Sequence, residues 1–330
     1  MKVAGFFSSQ TDQLSLNRPM NRRTFSSNLL SVSTGLLCIP NAIGSSENAD
    51  DRSGKIPKTD THVHLFDLKN LSYGWLKNSP TINRTFDLQD YKEATKSSNI
   101  GKMVFMESGA DAHLGLKEAT LVSQLARSEP KIKGIVAKAD LTQGSGTEKS
   151  LEQLCELPLV KGIRADFPKN EVTSSGFLAG FKALANRKLS FDLLISPPLM
   201  AEAVKLAKKF PNTIFILDHL GNPNVGEVDS TQWRNGIEKL AELPNVNCKI
   251  SGIITRFGKD WSVEKIRPYI LYVIEKFGMD RLVFAGDWPV VLLADSYKSW
   301  SEAFEKITAQ FSDEELHKIY HKNADHIYRL

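Results

Sequence analysis

The sequence predicts a single (β/α)8 barrel, in which eight parallel strands alternate with helices. Short runs of apolar and β-branched residues recur eight times after residue 57, and helical patterns lie between several of them. Strand alternating with helix indicates a parallel sheet that helices cover. The chain has 330 residues, and such a barrel takes about 250 as one domain. An open parallel sheet is the alternative, because a count of strands does not show closure.

The first predicted strand covers Lys58 to Leu65 and carries His62 and His64. Side chains two apart on a strand project to the same side, so both imidazoles can reach one small object. Cys248, in the seventh strand, is expected to be a small buried hydrophobe. The remaining predicted strands are Lys102–Glu107, Ile132–Ala139, Val160–Ala165, Leu189–Ile195, Thr213–His219, Val246–Ser251 and Leu282–Asp287.

Apolar residues at spacings of three and four predict helices between these strands. An additional C-terminal helix follows the eighth strand, because Ser312 and Glu315 form a capping box before an apolar run. Its histidines are expected at the surface and are given no role. The clearest of the intervening helices are Leu116–Arg127, Met200–Lys209, Thr231–Leu243 and Val263–Phe277.

The N-terminal segment reads as a targeting sequence and not as part of the fold. Arg22 and Arg23 precede an apolar run too short to span a bilayer, with a small-residue site at residues 42–44. This order is typical of a twin-arginine export signal, and we expect export, to the periplasm. Met20 offers a second start codon, which would leave residues 1–19 untranslated. The predicted organisation is a signal over 1–44, a flexible linker over 45–57 and the barrel over 58–330.

The composition excludes several classes of partner. The chain is 41% hydrophobic and 24% charged with a net charge of +4, as in ordinary globular proteins, and no long Lys and Arg run predicts nucleic-acid binding. Three cysteines without a C-x-x-C spacing exclude a disulfide framework. No stable membrane anchor is expected, and the sequence indicates no oligomeric state.

Ionisable residues occupy the predicted C-terminal ends of the strands, which converge on one mouth in a barrel. His219 is expected to point inward and its neighbour Asp218 to be structural or to support it, because adjacent strand residues face opposite ways. Four members also fit an ordinary structural role: Glu107 and Lys249 as strand-end residues that reach solvent, Arg164 as the partner of Asp166, and Asp287 as a cap of the helix or loop that follows. The strand-end set is His62, His64, Glu107, Arg164, His219, Lys249 and Asp287.

Three imidazoles and a carboxylate favour a site for a divalent metal, with zinc the best match. The expected ligands are His62, His64, His219 and Asp287. A cation there would activate water or polarise a carbonyl, and Asp287 would act as ligand, as the base, or as both in turn. Arg164 and Lys249, which are expected to be catalytic together with His219 and Asp287, would supply positive charge for a carbonyl and its oxyanion. Transfer of an acyl group to water fits this set best.

With these residues in view, residues 58–330 resemble the amidohydrolase superfamily, in particular its amidohydrolase-related branch of barrel hydrolases that includes sugar-acid lactonases. Some positions depart from the family pattern: Ala165 stands where a histidine is frequent, Glu107 where glutamine is common, and Ala285-Gly286 replaces Gly-Ser. The motifs that carry the resemblance are Asp60–Asp67, Tyr73–Leu76, Gly162–Arg164, Leu217–Pro223, Cys248–Gly252, Phe277–Arg281 and Asp287–Val290.

The resemblance implies a hydrolase that opens a small lactone, of the fuconolactone or rhamnonolactone type. It implies His62, His64, His219 and Asp287 as the metal and catalytic set. Trp75, Glu107, Arg164 and Trp288 are the expected substrate-binding residues. Relatives that work without a metal leave a metal-free mechanism open. The alternatives are a metal-dependent decarboxylase acting on a carboxylate and a barrel that binds without turnover.

Overall fold

The computed structural model describes residues 54–168, 172–225 and 231–330 of the chain. The predicted export signal and most of the predicted linker lie outside the described residues. No described helix combines the length and the apolar character needed to cross a bilayer.

Eight parallel strands form one sheet in chain order, and the ends of this sheet meet. The amide of His64 donates to the carbonyl of Trp288 at 2.7 Å, and the amide of Asp287 donates to the carbonyl of His62 at 2.9 Å. These bonds join the first strand to the segment after the last, so the sheet is a barrel and the open-sheet alternative is excluded. The strands are β1 (Lys58–Val63), β2 (Ile100–Met106), β3 (Ile132–Lys138), β4 (Val160–Arg164), β5 (Ser190–Leu193), β6 (Phe215–Leu217), β7 (Val246–Ile250) and β8 (Leu282–Phe284).

The four predicted intervening helices are confirmed: two have the predicted bounds, and two end two residues earlier, one of which also begins one residue earlier. The capping box forms, with the Ser312 hydroxyl accepting from the Glu315 amide and the Glu315 carboxylate from the Ser312 amide. A π-helical turn, Lys318–Lys322, joins the last two helices. The helices are α1 (Leu88–Thr95), α2 (Gly115–Leu125), α3 (Ser145–Cys155), α4 (Ser175–Asn186), α5 (Met200–Lys209), α6 (Thr231–Ala241), α7 (Ile253–Phe257), α8 (Val263–Phe277), α9 (Tyr297–Thr308), α10 (Asp313–His317) and α11 (Asn323–Tyr328).

The C-terminal segment covers the end of the barrel where the strands begin. Lys102 near the start of β2 pairs with Asp325 at 2.6 Å, and Arg329 donates to the carbonyl of Lys161 at 2.9 Å. Side chains of alternate strand residues pack with α11 in a small apolar cluster inside the barrel, because every second residue of a strand points inward. The opposite end, where the strands finish, is left for a site. The cluster consists of Val104, Met106, Val136, Ile216, Val283, Ala324, Ile327 and Tyr328.

Candidate active site

The carboxylate of Asp60 holds the two ends of the sheet together beneath the histidine pair. One oxygen accepts from the amides of His62 at 3.1 Å and Gly286 at 2.7 Å. The other accepts from the hydroxyls of Tyr91 at 3.0 Å and Tyr297 at 2.8 Å. Asp60 therefore fixes the backbone that carries His62 and the backbone that leads into Asp287.

His62 and His64 point to one spot, as their spacing predicts. Their Nε2 atoms lie 3.2 Å apart, and each lies 3.8 Å from Oδ1 of Asp287. Asp287 follows β8 with a left-handed backbone, φ 56°, which is uncommon for a residue other than glycine and costs on the order of 1 kcal/mol. The turn at Asp287 brings its carboxylate to the histidine pair.

This group fits a divalent cation. A point equidistant from the three atoms, whose separations are 3.2, 3.8 and 3.8 Å, lies about 2.1 Å from each, which matches the usual zinc distances to nitrogen and oxygen. Nδ1 of His64 lies 3.1 Å from the carbonyl oxygen of Met106, which only accepts, so Nδ1 carries the proton and the Nε2 lone pair is free. Only three protein ligands would be used, which leaves an open position, as in catalytic zinc sites.

The surroundings keep both imidazoles neutral, the form that binds metals. Burial and then the Lys249 ammonium lower the pKa of His62 well below its ordinary value, and burial and then Arg164 do the same for His64. Burial raises the pKa of Asp287 well above its usual range, and the charge of Arg164 offsets part of this. A cation beside Asp287 would therefore relieve a buried negative charge.

His219 does not belong to the same ligand group. The potential ligand atoms of His62, His64 and Asp287 lie together, whereas His219 groups with His62 and Asp218. Its Nδ1 is 2.9 Å from the hydroxyl of Ser251 and its Nε2 is 4.0 Å from Asp287 Oδ1. Three of the four expected ligands therefore lie within one group, and the role of His219 as a fourth ligand stays a prediction. Burial lowers the pKa of His219 to about 4.

His219 lines the cavity and Asp218 lies behind His62 in a supporting position, as expected from the sequence, but both side chains point into the barrel, which strand alternation does not allow. Strand β6 ends at Leu217, and His219 and Leu220 have φ of 53°, so the alternation of a strand no longer applies. Asp218 Oδ1 lies 3.5 Å from His62 Nδ1 while His219 lines the cavity. Gly252 leaves room for the His219 ring, because a Cβ there would lie 2.7 Å from its Nδ1.

Lys249 lies inside the barrel and not in the cavity wall, contrary to its expected contact with substrate. Its side chain has no exposed surface, and its Nζ lies 2.5 Å from Asp192 Oδ1, 3.0 Å from Asp218 Oδ1 and 3.3 Å from His62 Nδ1. The ammonium thus stands where a cation would sit among His62, Asp218 and Asp192. Burial would raise the pKa of Asp218, but Lys249 and then His62 lower it well below its ordinary value.

Arg164 is paired with Glu107 and not with Asp166. Its Nε lies 2.5 Å from the Glu107 carboxylate, and its Nη2 donates to the Glu107 carbonyl at 2.7 Å. Its Nη1 lies 3.3 Å from His62 Nε2 and 3.4 Å from Asp218 Oδ2. This guanidinium is held in a fixed orientation at the cavity wall, as recognition of a carbonyl or carboxylate requires.

A cavity of about 690 Å³ opens above this cluster at the C-terminal ends of the strands. The indole of Trp75 forms part of its wall and donates to the carbonyl of Ser108 at 3.0 Å. Of the expected site residues, the lining contains His64, Trp75, Glu107, Arg164, His219 and Asp287.

Trp288 does not contact the cavity, contrary to its expected role in substrate binding. Its ring packs edge-on against Phe86 at 5.6 Å and against Tyr91 at 6.4 Å, on the helix side of the barrel. The backbone turn at Asp287 sends the two neighbouring side chains to different environments. The position of a tryptophan just after a strand therefore does not predict which way its side chain points.

The cavity also contains polar residues to which the sequence pattern assigns no role. Lys138 is the last residue of β3, so the rule that selects the other strand ends also applies to it. Arg256 lies in the short helix α7 and Asn222 in the turn after β6, where no periodicity marks a side chain as facing the site.

Comparisons with known proteins agree with this geometry. A relative from Sinorhizobium fredii, of uncharacterised function, is 33% identical over 293 residues, covering 82% of this chain and 98% of its own. An L-fucono-1,5-lactonase from Burkholderia ambifaria is 25% identical, covering 83% of this chain and 96% of its own.

Two solved structures have the same fold. An amidohydrolase from Burkholderia multivorans, crystallised with bound zinc, has a TM-score of 0.74 at 23% identity, over 83% of this chain and 100% of that chain. A 5-carboxyvanillate decarboxylase from Sphingomonas paucimobilis has a TM-score of 0.60 at 14% identity, over 83% of this chain and 100% of that one. The family model for amidohydrolases matches residues 59–330. The chain belongs to the amidohydrolase family.

Proposed function

We propose that this protein hydrolyses a small lactone, with sugar-acid lactones as the substrate class. The observation that carries the proposal is the cluster of His62, His64 and Asp287 at the base of a cavity that Arg164 and His219 also line. The relatives named L-fucono-1,5-lactonase support the substrate class. A cavity of about 690 Å³ with many polar groups suits a monosaccharide-sized ring.

His62, His64 and Asp287 would hold a divalent cation, for which zinc fits best. When bound, it would act as a Lewis acid on the lactone carbonyl oxygen and offset the buried charge of Asp287. The residue roles below do not depend on it, and a metal-free mechanism would use Arg164 for the carbonyl.

Asp287 is the proposed base. The oxygen of an attacking water forms a bond to the carbonyl carbon, and the Asp287 carboxylate accepts the proton of that water. Arg164, held by Glu107, stabilises the negative charge on the carbonyl oxygen. The carbon to ring-oxygen bond then breaks, and His219, 4.0 Å from Asp287, relays the proton to the leaving alkoxide. The product is a hydroxy acid, which releases a proton at neutral pH.

Incubation of the purified protein with a panel of aldonolactones and a pH indicator tests the proposal. We expect acidification with at least one five- or six-membered sugar lactone, and loss of it in Asp287→Asn. Equal, uncatalysed rates across aldonolactones and unsaturated lactones would contradict the proposal and favour a barrel that binds without turnover.

Decarboxylation is the second candidate, since Lys138, Arg164 and Arg256 place three cationic side chains in the cavity wall. Such groups can bind a substrate carboxylate. A decarboxylase would release carbon dioxide and consume a proton, so the direction of the pH change separates the two reactions.

We also propose export of the folded protein through the twin-arginine route. Arg22 and Arg23 with the following apolar run support it. Fractionation of cells that express the full chain, with Arg22→Lys and Arg23→Lys as the comparison, tests it. Equal periplasmic amounts of both proteins would contradict the proposal.

A further inference from the structure

A row of paired charges runs through the barrel beneath the proposed metal ligands. Asp192 in β5, Lys249 in β7 and Asp218 after β6 have no exposed side-chain surface. The ammonium of Lys249 joins the two carboxylates, and Asp218 in turn lies 3.5 Å from Nδ1 of His62. The row therefore connects the centre of the barrel to the face of His62 that does not point at the cavity.

Tyr328, the last residue of α11, is in contact with the other end of this row. Its hydroxyl donates to Asp192 Oδ1 at 2.9 Å, and its ring lies 5.6 Å from the Nζ of Lys249. The side chain is completely buried, inside the apolar cluster that closes the end of the barrel opposite to the cavity. Tyr328 is thus separated from the cavity by Asp192, Lys249 and Asp218.

The hydroxyl matters because Asp192 shares the Lys249 ammonium with Asp218, whereas Asp218 also lies 3.4 Å from the Arg164 guanidinium. A buried carboxylate with a shared cation is costly, and each additional donor lowers the cost. Oδ2 of Asp192 is buried without a hydrogen-bond partner among the described residues, so Oδ1 carries the hydrogen bonds of this carboxylate. Burial, and after it the charge of Asp192, raises the pKa of Tyr328 well above its ordinary value, so the phenol stays a donor.

We propose that Tyr328 is a positioning residue for the candidate site. The effect of this residue on turnover rests on the proposed function. It fixes Asp192, which orients Lys249, and Lys249 holds Asp218 against His62. The negative charge of Asp218, 3.5 Å from Nδ1 of His62, favours a proton on Nδ1, and the Arg164 guanidinium, 3.3 Å from Nε2, favours a lone pair on Nε2. Carboxylates behind metal-binding histidines act in this way in general, and their loss costs about 10- to 100-fold in metal affinity or activity.

Tyr328→Phe removes only the hydroxyl, and Tyr320→Phe is the matched control. Tyr320 lies in the same C-terminal segment, is equally buried, and its hydroxyl bonds to the Thr308 hydroxyl at 2.8 Å, away from the row of charges. We expect Tyr328→Phe to lower kcat on the best lactone about tenfold with KM within twofold, and to weaken zinc binding about tenfold in a chelator competition. Tyr320→Phe should change neither value by more than twofold.

The ring 15N shifts of His62, assigned by comparison with His62→Asn, give a readout that requires neither turnover nor metal. The wild type and Tyr320→Phe should show a protonated Nδ1, and Tyr328→Phe a mixture of tautomers. Equal kcat, zinc affinity and ring shifts in the two variants would overturn the proposal. If no lactone is hydrolysed by the wild type, the proposed function fails, while zinc affinity and the ring shifts still decide the role of Tyr328. If Tyr328→Phe does not fold, Asp192→Asn takes its place. We expect it to change kcat, zinc affinity and the His62 ring shifts in the same direction.

Discussion

The ionisable residues of this barrel occupy two regions that differ in depth. Arg164, His219 and Asp287 line the cavity, where a substrate can reach them. Asp192 and Lys249 lie below them with no exposed surface and contact only protein groups. The same residue types serve chemistry in the upper region and orientation in the lower one. Position at a strand end predicts that a charge is present, whereas depth decides which of these two tasks the charge can perform.

The two regions are expected to respond differently to substitution. A cavity residue is already in contact with solvent or substrate, so its replacement should change turnover more than folding. Removal of one partner from a buried ion pair leaves an uncompensated charge, which typically costs about 3–5 kcal/mol of stability.

The largest effect on turnover is expected for Asp287→Asn. General base catalysis contributes roughly 10²- to 10⁴-fold, so we expect kcat to fall by about 10³ while the melting temperature stays within a few degrees. Initial rates on the best lactone and thermal unfolding measure the two effects. Asp166→Asn, in the same cavity wall, is the control and should keep at least a third of the wild-type rate. Turnover by Asp287→Asn near the wild-type value would remove Asp287 from the role of base.

The largest effect on stability is expected for Lys249→Met, which leaves Asp192 and Asp218 without their shared cation. We expect the free energy of unfolding to fall by about 3–5 kcal/mol, measured by urea denaturation. Addition of Asp192→Asn to this variant should restore part of the loss, because residue 192 is then neutral and Asp218 keeps its contact with Arg164 at 3.4 Å. A cost below about 1 kcal/mol for Lys249→Met would mean that the lower region does not depend on the ammonium.

The depth at which each charged side chain lies could not be predicted from the sequence. Alternation of strands and helices predicted the barrel, the order of its strands and the convergence of His62, His64 and Asp287, because these follow from periodicity and topology. The placement of Lys249 did not follow, since a strand-end lysine reads the same whether it reaches solvent or turns inward. Tyr328 lies on a C-terminal helix whose pattern indicates only a buried face.

The turns that end the strands set a second limit. His219 and Asp287 have left-handed backbones, which Asp and His adopt more often than most residues but still in a minority of cases, so their presence does not predict this conformation. Each turn rotates the neighbouring side chains away from the alternation that a strand would give. For this reason Asp218 points into the barrel beside His219, although strand alternation predicts opposite directions, and Trp288 packs away from the cavity, against the prediction from the sequence.

Zinc binding should distinguish the three proposed ligands, His62, His64 and Asp287, from His219, which lines the same cavity. A ligand present at 100 times its Kd stabilises the folded state by about 2.7 kcal/mol, so added zinc should raise the melting temperature of the wild type and a chelator should reverse this. His64→Asn should abolish the response, because it removes one of three ligands. His219→Asn should retain it, since His219 lies outside that group. Loss of the response in both variants would show that His219 is also a ligand, as the sequence predicts.

The smallest effects are expected for the two tryptophans, Trp75 and Trp288, which the sequence places in the same role. Trp75 lies in the cavity wall, so Trp75→Phe should raise KM by about fivefold to tenfold through lost contact with the substrate, with little change in stability. Trp288 is buried away from the cavity, and its Nε1 has no hydrogen-bond partner among the described residues. Trp288→Phe therefore loses only packing, and we expect about 1 kcal/mol of lost stability with KM within twofold. Steady-state kinetics and urea denaturation on both variants compare them directly. If Trp288→Phe raised KM as much as Trp75→Phe does, the substrate would have to contact Trp288, and the cavity wall would not end at Asp287.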